Sequence, residues 1–215
     1  MALVAKRPQR VLSSALLGGG LGRASAWYNA HVRHDAPLDS DGPAAVLARR
    51  AARRGLGHDT VAMMTGAAMS SLRLAAAGLE DARFALLATA GLANARAAGD
   101  TAEMRSLHAP VGPAGTINIA LVTDAALADA ALVESVAIVA EAKAAALCEA
   151  GIASPVSGRP ATGTGTDATA VFCGTTGASV AYAGKHTLVG ETVARLVMTA
   201  LASSIAGAEE ACGVG

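Results

Sequence analysis

Three threonines and one aspartate, Thr162, Thr164, Thr166 and Asp167, alternate with Gly163 and Gly165 in a run that starts at Ala161 and passes straight into the apolar segment Ala168 to Cys173. Glycine lacks the Cβ that restricts the backbone, so such a loop can turn sharply and let a bound group approach its amide N–H donors. Hydroxyls, amides and a carboxylate are thereby concentrated at a strand edge, where they can hold an oxyanion, orient a water or take up a proton. Solvated turns use the same residue types, but consecutive Gly-Thr and Thr-Gly steps exceed what a connection needs. Neither nucleotide fingerprint fits: Gly163-x-Gly165 is followed by Asp167-Ala168 where a third glycine belongs, and no Gly-Lys-Ser/Thr ending occurs.

Two readings of Asp167 stay open. It can act as a base if desolvation raises its affinity for a proton, or it can brace its own loop by accepting backbone N–H bonds. Glu141 is the alternative base, and Lys143 is a cation able to stabilise an anion or to snorkel beside a buried stripe. Asn29 and His31 lie two apart, so they share one face of a strand, while Asn118 places an amide on an otherwise apolar strand. Asn94 follows a strand that breaks into small residues. No metal site is expected. His31 and His34, with Asp35, are the only clustered ligand types, and a strand puts the two histidines on opposite faces. Thr116 follows Gly115 at a strand start, the bond type cut in self-processing threonine hydrolases, but no strong self-processing signature surrounds it.

The elements that must position these groups follow from periodicity and punctuation. Arg10 to Leu17 and Arg23 to Val32 read as strands of a hairpin turning at Gly18 to Gly22. Asp39 to Pro43 caps a helix from Ala44 to Arg54, whose Arg49, Arg50, Arg53 and Arg54 read as a solvated face. Strands are predicted over Thr60 to Thr65, Phe84 to Thr89, from Thr116, over Thr169 to Cys173 and over Ser179 to Ala183. Asp124 is a candidate cap for a long helix from Ala126 to Ala150, with Val133, Val136, Ala137, Ala140, Ala144 and Leu147 as its core stripe and Glu141 and Lys143 on opposite flanks. A last helix runs from Leu188 to about Ile205. Hairpins followed by helices predict an α+β fold, layered mixed or antiparallel sheets flanked by helices, in the form of a four-layer αββα sandwich.

Composition bounds the partners. At 215 residues the chain suits a single domain. Apolar residues make up 53% but aromatics only 2%, so the core must be built from small aliphatic side chains at close backbone spacing. The 17 basic and 17 acidic residues cancel, removing the footprint of a nucleic-acid binder and favouring a small-molecule partner. Cys148, Cys173 and Cys212 are scattered, which fits a reducing cytoplasm. Lys6, Arg7, Arg10 and the run Val11 to Leu21 imitate a signal peptide, yet the crowded glycines at 18, 19, 20 and 22 favour a strand and turn. No uninterrupted apolar run reaches the roughly 18 residues of a membrane span, so a helical membrane anchor is not expected.

The run ATGTGTD at 161–167, with GTINI at 115–119, AEAKAAAL at 140–147 and NARAAGD at 94–100, resembles the adenosylcobinamide amidohydrolase (CbiZ) family. Weaker segments at 13–20, 29–32 and 63–69 fall in the same order, so the resemblance covers roughly residues 9–206. It implies hydrolysis of the amide between the corrin propionate arm and aminopropanol, giving cobyric acid for cobamide salvage. It also points to Asp167; the residues themselves add Glu141 and Lys143 as catalytic candidates and Thr162 through Thr166, Asn29, His31, Asn94 and Asn118 as substrate-binding candidates. A corrinoid would then be the substrate and no cofactor is needed; neither nucleic acid nor membrane is an expected partner, and self-association into a homo-oligomer is left open. The rival reading is a non-catalytic protein that uses the same loops to bind a corrinoid or nucleotide. Because the histidines make no convincing first shell, turnover is expected to survive EDTA. Activity lost on chelation and restored by one divalent metal would overturn that reading of His31, His34 and His186.

Overall fold

The computed structural model describes residues 1–33, 41–103 and 116–212, with side chains as far as residue 207. His34, Asp35, most of the expected helix cap before Asp41, and Gly115 lie outside the described residues. The elements in order are β1 (Ala2–Ser13), β2 (Gly20–His31), α1 (Gly42–Ala52), β3 (Thr60–Thr65), β4 (Arg73–Leu79), β5 (Ala82–Ala90), β6 (Ala95–Arg96), β7 (Ile117–Thr123), β8 (Ala126–Leu127), α2 (Asp129–Glu149), β9 (Gly163–Thr164), β10 (Ala168–Cys173), β11 (Ser179–Val180) and α3 (Leu188–Cys212). The fold is α+β, with a mixed seven-stranded sheet in the order β3-β2-β1-β10-β7-β5-β4 and two small ribbons, β11-β8 and β6-β9.

Two parallel pairs, β2 with β3 and β10 with β7, are joined by crossovers through α1 and α2, and the remaining neighbours in the large sheet are antiparallel. The N-terminal segment that imitates a signal peptide is the β1–β2 hairpin, and its turn is pinned by Leu17, which exchanges backbone bonds with Ala62. Gly18 there has φ +70°, and a Cβ on it would sit 2.7 Å from the Thr60 carbonyl oxygen, so only glycine fits.

The alternation along each strand shows how the layers arise. Residues Ile117, Ile119 and Leu121 of β7, with Phe84, Leu86 and Ala88 of β5 and Val171 of β10, pack under α2 and α3. Their neighbours Ala120, Leu87, Ala170 and Phe172 face the other way, and there they meet Trp27 of β2 and Val61 and Met63 of β3. Tyr28, Ala30 and Ala62 point outward again, onto Leu47 and Ala51 of α1. The expected helix-sheet-sheet-helix layering is therefore present, but both inner layers are halves of one sheet that curls over itself. The sequence reading of two packed sheets is corrected on that point. Each half is buried on both faces, which is why β7 reads as continuously apolar.

A buried amide clamp holds the two halves together. Asn118 Nδ2 on β7 donates to Asn29 Oδ1 on β2 at 2.8 Å and to the Met64 carbonyl of β3 at 2.8 Å, while Asn29 Nδ2 donates to Thr89 Oγ1 on β5 at 3.0 Å. Neither β3 nor β2 adjoins β7 or β5 in the sheet.

Three expectations are revised. Asp124 does not cap α2; it accepts from Arg83 N at 2.7 Å and Arg83 Nε at 2.8 Å, while Ala126 and Leu127 form β8 and the helix starts at Asp129. The buried face of α2 is Ala131, Leu132, Ser135, Ile138, Val139, Ala142, Ala146 and Leu147, so of the expected stripe only Leu147 is buried, and Val133 is 59% exposed. Alanine occurs on every side of this helix and carries no phase. In α3, Leu188–Gly207 is long and apolar enough by length and composition to cross a membrane, unlike the uninterrupted runs sought in the sequence. Here its residues Val193, Val197, Ala200 and Leu201 are buried in the core with β4, β5 and α2.

Removing the centre of the clamp tests the curl. Asn29→Ala is expected to lower unfolding free energy by about 1–3 kcal/mol, because it strands the Asn118 and Thr89 groups. A urea melt with an unchanged midpoint would show that the amides do not hold the halves together.

Candidate active site

The strand directions bring one set of ends to a common edge. In register, Asn29 pairs Met63 near the ends of β2 and β3, Ala90 pairs Ile117 at the end of β5 and start of β7, and Asn118 pairs Ala168 at the start of β10. The segments beyond that edge carry His31, Thr65 to Ala67, Gly91 to Asn94, Thr116 and the loop Gly163 to Asp167. They are tightly opposed: a Cβ on Gly91 would come within 3.1 Å of Ala67 Cα and Cβ.

Asp167 organises the loop. Its Oδ1 accepts from Ile117 N at 3.0 Å and Thr164 Oγ1 at 2.5 Å, and its Oδ2 accepts from Thr164 N at 3.0 Å and from the Lys143 ammonium. One carboxylate thus ties the loop to the first residue of β7 and to the middle of α2. The Lys143 and Asp167 side chains are 14% and 13% exposed, so the pair is shielded from water. A carboxylate offers about four lone-pair sites, and here donors occupy all of them.

The glycines make room for this arrangement. A Cβ on Gly163 would lie 2.4 Å from Asp167 Oδ2 and 2.9 Å from Lys143 Nζ, and one on Gly165 would lie 3.1 Å from Asn94 Nδ2. The threonines are the fasteners. Thr162 Oγ1 accepts from Ala98 N at 2.9 Å, Thr164 donates to Asp167, and Thr166 Oγ1 contacts Thr116 Oγ1. Gly163 and Thr164 also pair with Arg96 and Ala95 as the β9–β6 ribbon. Beneath it Asp100 joins two loops, accepting from Ala97 N at 2.9 Å, Ser154 Oγ at 2.5 Å and Arg159 NH2 at 3.0 Å. The hydroxyls of Ser154 and Ser157, with Ala97 N–H and Arg159, hold the Asp100 carboxyl well below the usual carboxylate range.

Of the residues singled out in the sequence, Asp167, Lys143, Thr162 to Thr166 and Asn94 form one cluster. Asn118 adjoins it through Ile117, Asn29 is linked through Asn118, and His31 lies on the surface at the end of β2. Glu141 does not join them: it is 55% exposed and paired with Lys185. Two features went unread. Thr116, considered above for a covalent route, is the hydroxyl partner of Thr166. Arg50, Arg53 and Arg54, read as a solvated face, line a cleft with Tyr28, Asn29 and His31; their i, i+3, i+4 spacing was the available signal. Asn94 Oδ1 and Asn118 Oδ1 are buried with no hydrogen-bond partner among the described residues.

A layered α+β protein whose hydroxyls, buried amides and lysine-aspartate pair meet at one sheet edge has the groups of a small-molecule site. The adenosylcobinamide amidohydrolase family model matches residues 1–213. A protein of Halobacterium salinarum named adenosylcobinamide amidohydrolase is 34% identical over 188 residues, covering 87% of this chain and 76% of that relative. The chain belongs to the adenosylcobinamide amidohydrolase family and is an amidohydrolase.

The packing around Gly163 generates a direct test. Gly163→Ala is expected to separate Lys143 from Asp167, lower stability on the order of 1–3 kcal/mol through overpacking, and expose Lys143 to an amine-acylating reagent mapped by peptide mass spectrometry. Wild-type labelling of Lys143 and an unchanged melting temperature in this variant would show that the glycine is not needed there.

Proposed function

We propose that this amidohydrolase cleaves the amide joining the propionate arm of the corrin ring to aminopropanol in adenosylcobinamide, giving cobyric acid for salvage of cobamides in the cytoplasm. Family membership supports the substrate, and one structural observation supports the place: the shielded Lys143–Asp167 pair seated against the Gly163–Thr166 loop. The corrinoid enters as substrate, and the reaction is written without a cofactor.

Water adds to the amide carbonyl carbon, the C–N bond breaks, and the departing nitrogen takes a proton, so the site must orient water, hold an oxyanion and supply that proton. We assign Asp167 to positioning, because its lone pairs are already engaged; it holds the Lys143 ammonium in place and the loop fixed. Lys143 supplies the positive charge that the tetrahedral oxyanion needs. The exposed Gly165 amide, which donates to no protein acceptor among the described residues, is a second donor for it. The Thr116 and Thr166 hydroxyls orient the attacking water, and the Asn94 carbonyl oxygen, unpaired among the described residues, is an acceptor for a substrate amide N–H.

Adenosylcobinamide incubated with pure protein is expected to yield cobyric acid and aminopropanol by mass spectrometry. Asp167→Asn should cost at least ~10²-fold in turnover with corrinoid binding largely kept, because whichever way the new amide is turned its NH2 faces two donors. Corrinoid binding without turnover in the wild-type protein would make this a binding protein, and near wild-type turnover in a folded Asp167→Asn protein would remove Asp167 from the mechanism.

A further inference from the structure

The cleft beside the amide clamp has a volume of about 310 Å³, and none of the described residues lining it is acidic. Three guanidinium groups converge on it from one face of the C-terminal part of α1 and the turn that follows. Arg50 NH1 donates to the His31 carbonyl at 3.0 Å, and Arg54 NH1 donates to the Arg50 carbonyl at 3.2 Å while its guanidinium lies 5.0 Å over the Tyr28 ring. The Arg53 side chain makes no hydrogen bond or ion pair among the described residues.

Elsewhere among the described residues six arginines are neutralised by carboxylates, whereas Arg7, Arg23 and Arg73 are not. Arg10, Arg49, Arg83, Arg96, Arg159 and Arg195 each sit against a carboxylate. Among the described residues Arg50, Arg53 and Arg54 have no such partner, although the whole chain balances 17 cations with 17 anions. Packing three like charges around a concave wall costs repulsion, and a helix C-terminus offsets only part of it. Two of the three are also held in fixed orientations by backbone carbonyls and an aromatic face, which lowers the entropy lost when they bind.

We propose that this cleft is a binding site for a phosphate group. A carboxylate is satisfied by one bidentate arginine, whereas a phosphate presents three or four oxygens and up to two charges, matching three guanidinium groups. The phosphate is either free orthophosphate or a phosphate ester carried on the aminopropanol arm of a corrinoid. The second source rests on the function proposed above and the first does not.

Isothermal titration at constant ionic strength, with chloride as the balancing salt, tests the site without reference to turnover. The ligands are orthophosphate and the phosphate ester of 1-amino-2-propanol. Saturable binding is expected for the wild-type protein, weakened at least ~10-fold by Arg53→Ala, partly restored by Arg53→Lys, and unchanged by Arg49→Ala. Ester binding tighter than orthophosphate by at least ~10-fold identifies the substrate arm as the source, and equal affinity identifies the free anion. Absence of saturable binding for both ligands, or affinity unaltered in a folded Arg53→Ala protein, overturns the proposal. Because the readout is binding, either result stands whether or not adenosylcobinamide is hydrolysed.

Discussion

The carboxylate of Asp167 is the point on which the site's geometry depends. Burying an ion is expensive, and a lone lysine-aspartate contact in a shielded place seldom recovers the loss of hydration. Here the charge is met by the Lys143 ammonium, two backbone N–H groups and a hydroxyl. With every lone pair used, the pair becomes a fixed joint between α2, β7 and the loop rather than a liability. The alternating motif then follows from the joint. Gly163 leaves space for the two side chains, Thr164 donates to Asp167 twice, Gly165 lets Asn94 approach, and Thr166 reaches Thr116.

That joint can be held only because the sheet behind it is curled and closely packed. The inner core between the sheet halves has Trp27 and Phe172 as its aromatic residues and Ala120 and Ala170 side by side on the neighbouring strands β7 and β10. Small side chains let the halves come within hydrogen-bonding reach, so Asn29 and Asn118 can bridge strands that are not neighbours in the sheet. Larger residues at those alanines would push the halves apart and break the amide contacts first, since hydrogen bonds tolerate separation less than apolar contacts do.

Much of this was legible in the sequence where residue types carried contrast. β3 matches its expected span, and the hairpin of β1 and β2, the starts of β7 and β10 and the loop at 161–167 were marked by glycine punctuation and β-branched runs. Alanine removed the contrast elsewhere. β4, Arg73–Leu79, was missed because Ala75, Ala77 and Leu79 face the helices while Leu74 and Ala76 face away, leaving no polar alternation to see. The phase of α2 failed for the same reason, and with it the expectation that Glu141 and Lys143 would each reach a cleft. The ion pairs that separate them, to Lys185 and Asp167, join residues 44 and 24 positions apart. No local spacing encodes such partners. Whether the two sheet layers were one sheet or two depended on the β1 pairings to β2 and β10, which hydropathy does not report.

The same topology explains why the polar groups gather at one edge. Because β2, β3 and β5 end where β7 and β10 begin, the connections that enter and leave them must cross the same side of the sheet, and only connections can carry irregular, hydrogen-bonding backbone. The sheet interior cannot host these groups, since each unpaired buried acceptor costs on the order of 1–3 kcal/mol. Among the described residues Asn94 Oδ1 and Asn118 Oδ1, both at this edge, are left unpaired nonetheless, as is Gln9 Oε1 on β1 away from it. Stability alone would not retain them, because an apolar residue of similar shape would remove the penalty. Under the proposed function, an amide substrate would bring N–H donors to Asn94, and its penalty in the free protein would become a difference in favour of the bound state. The Asn94 and Asn118 oxygens share their sheet edge with the Gly163–Thr166 loop and the shielded Lys143–Asp167 pair.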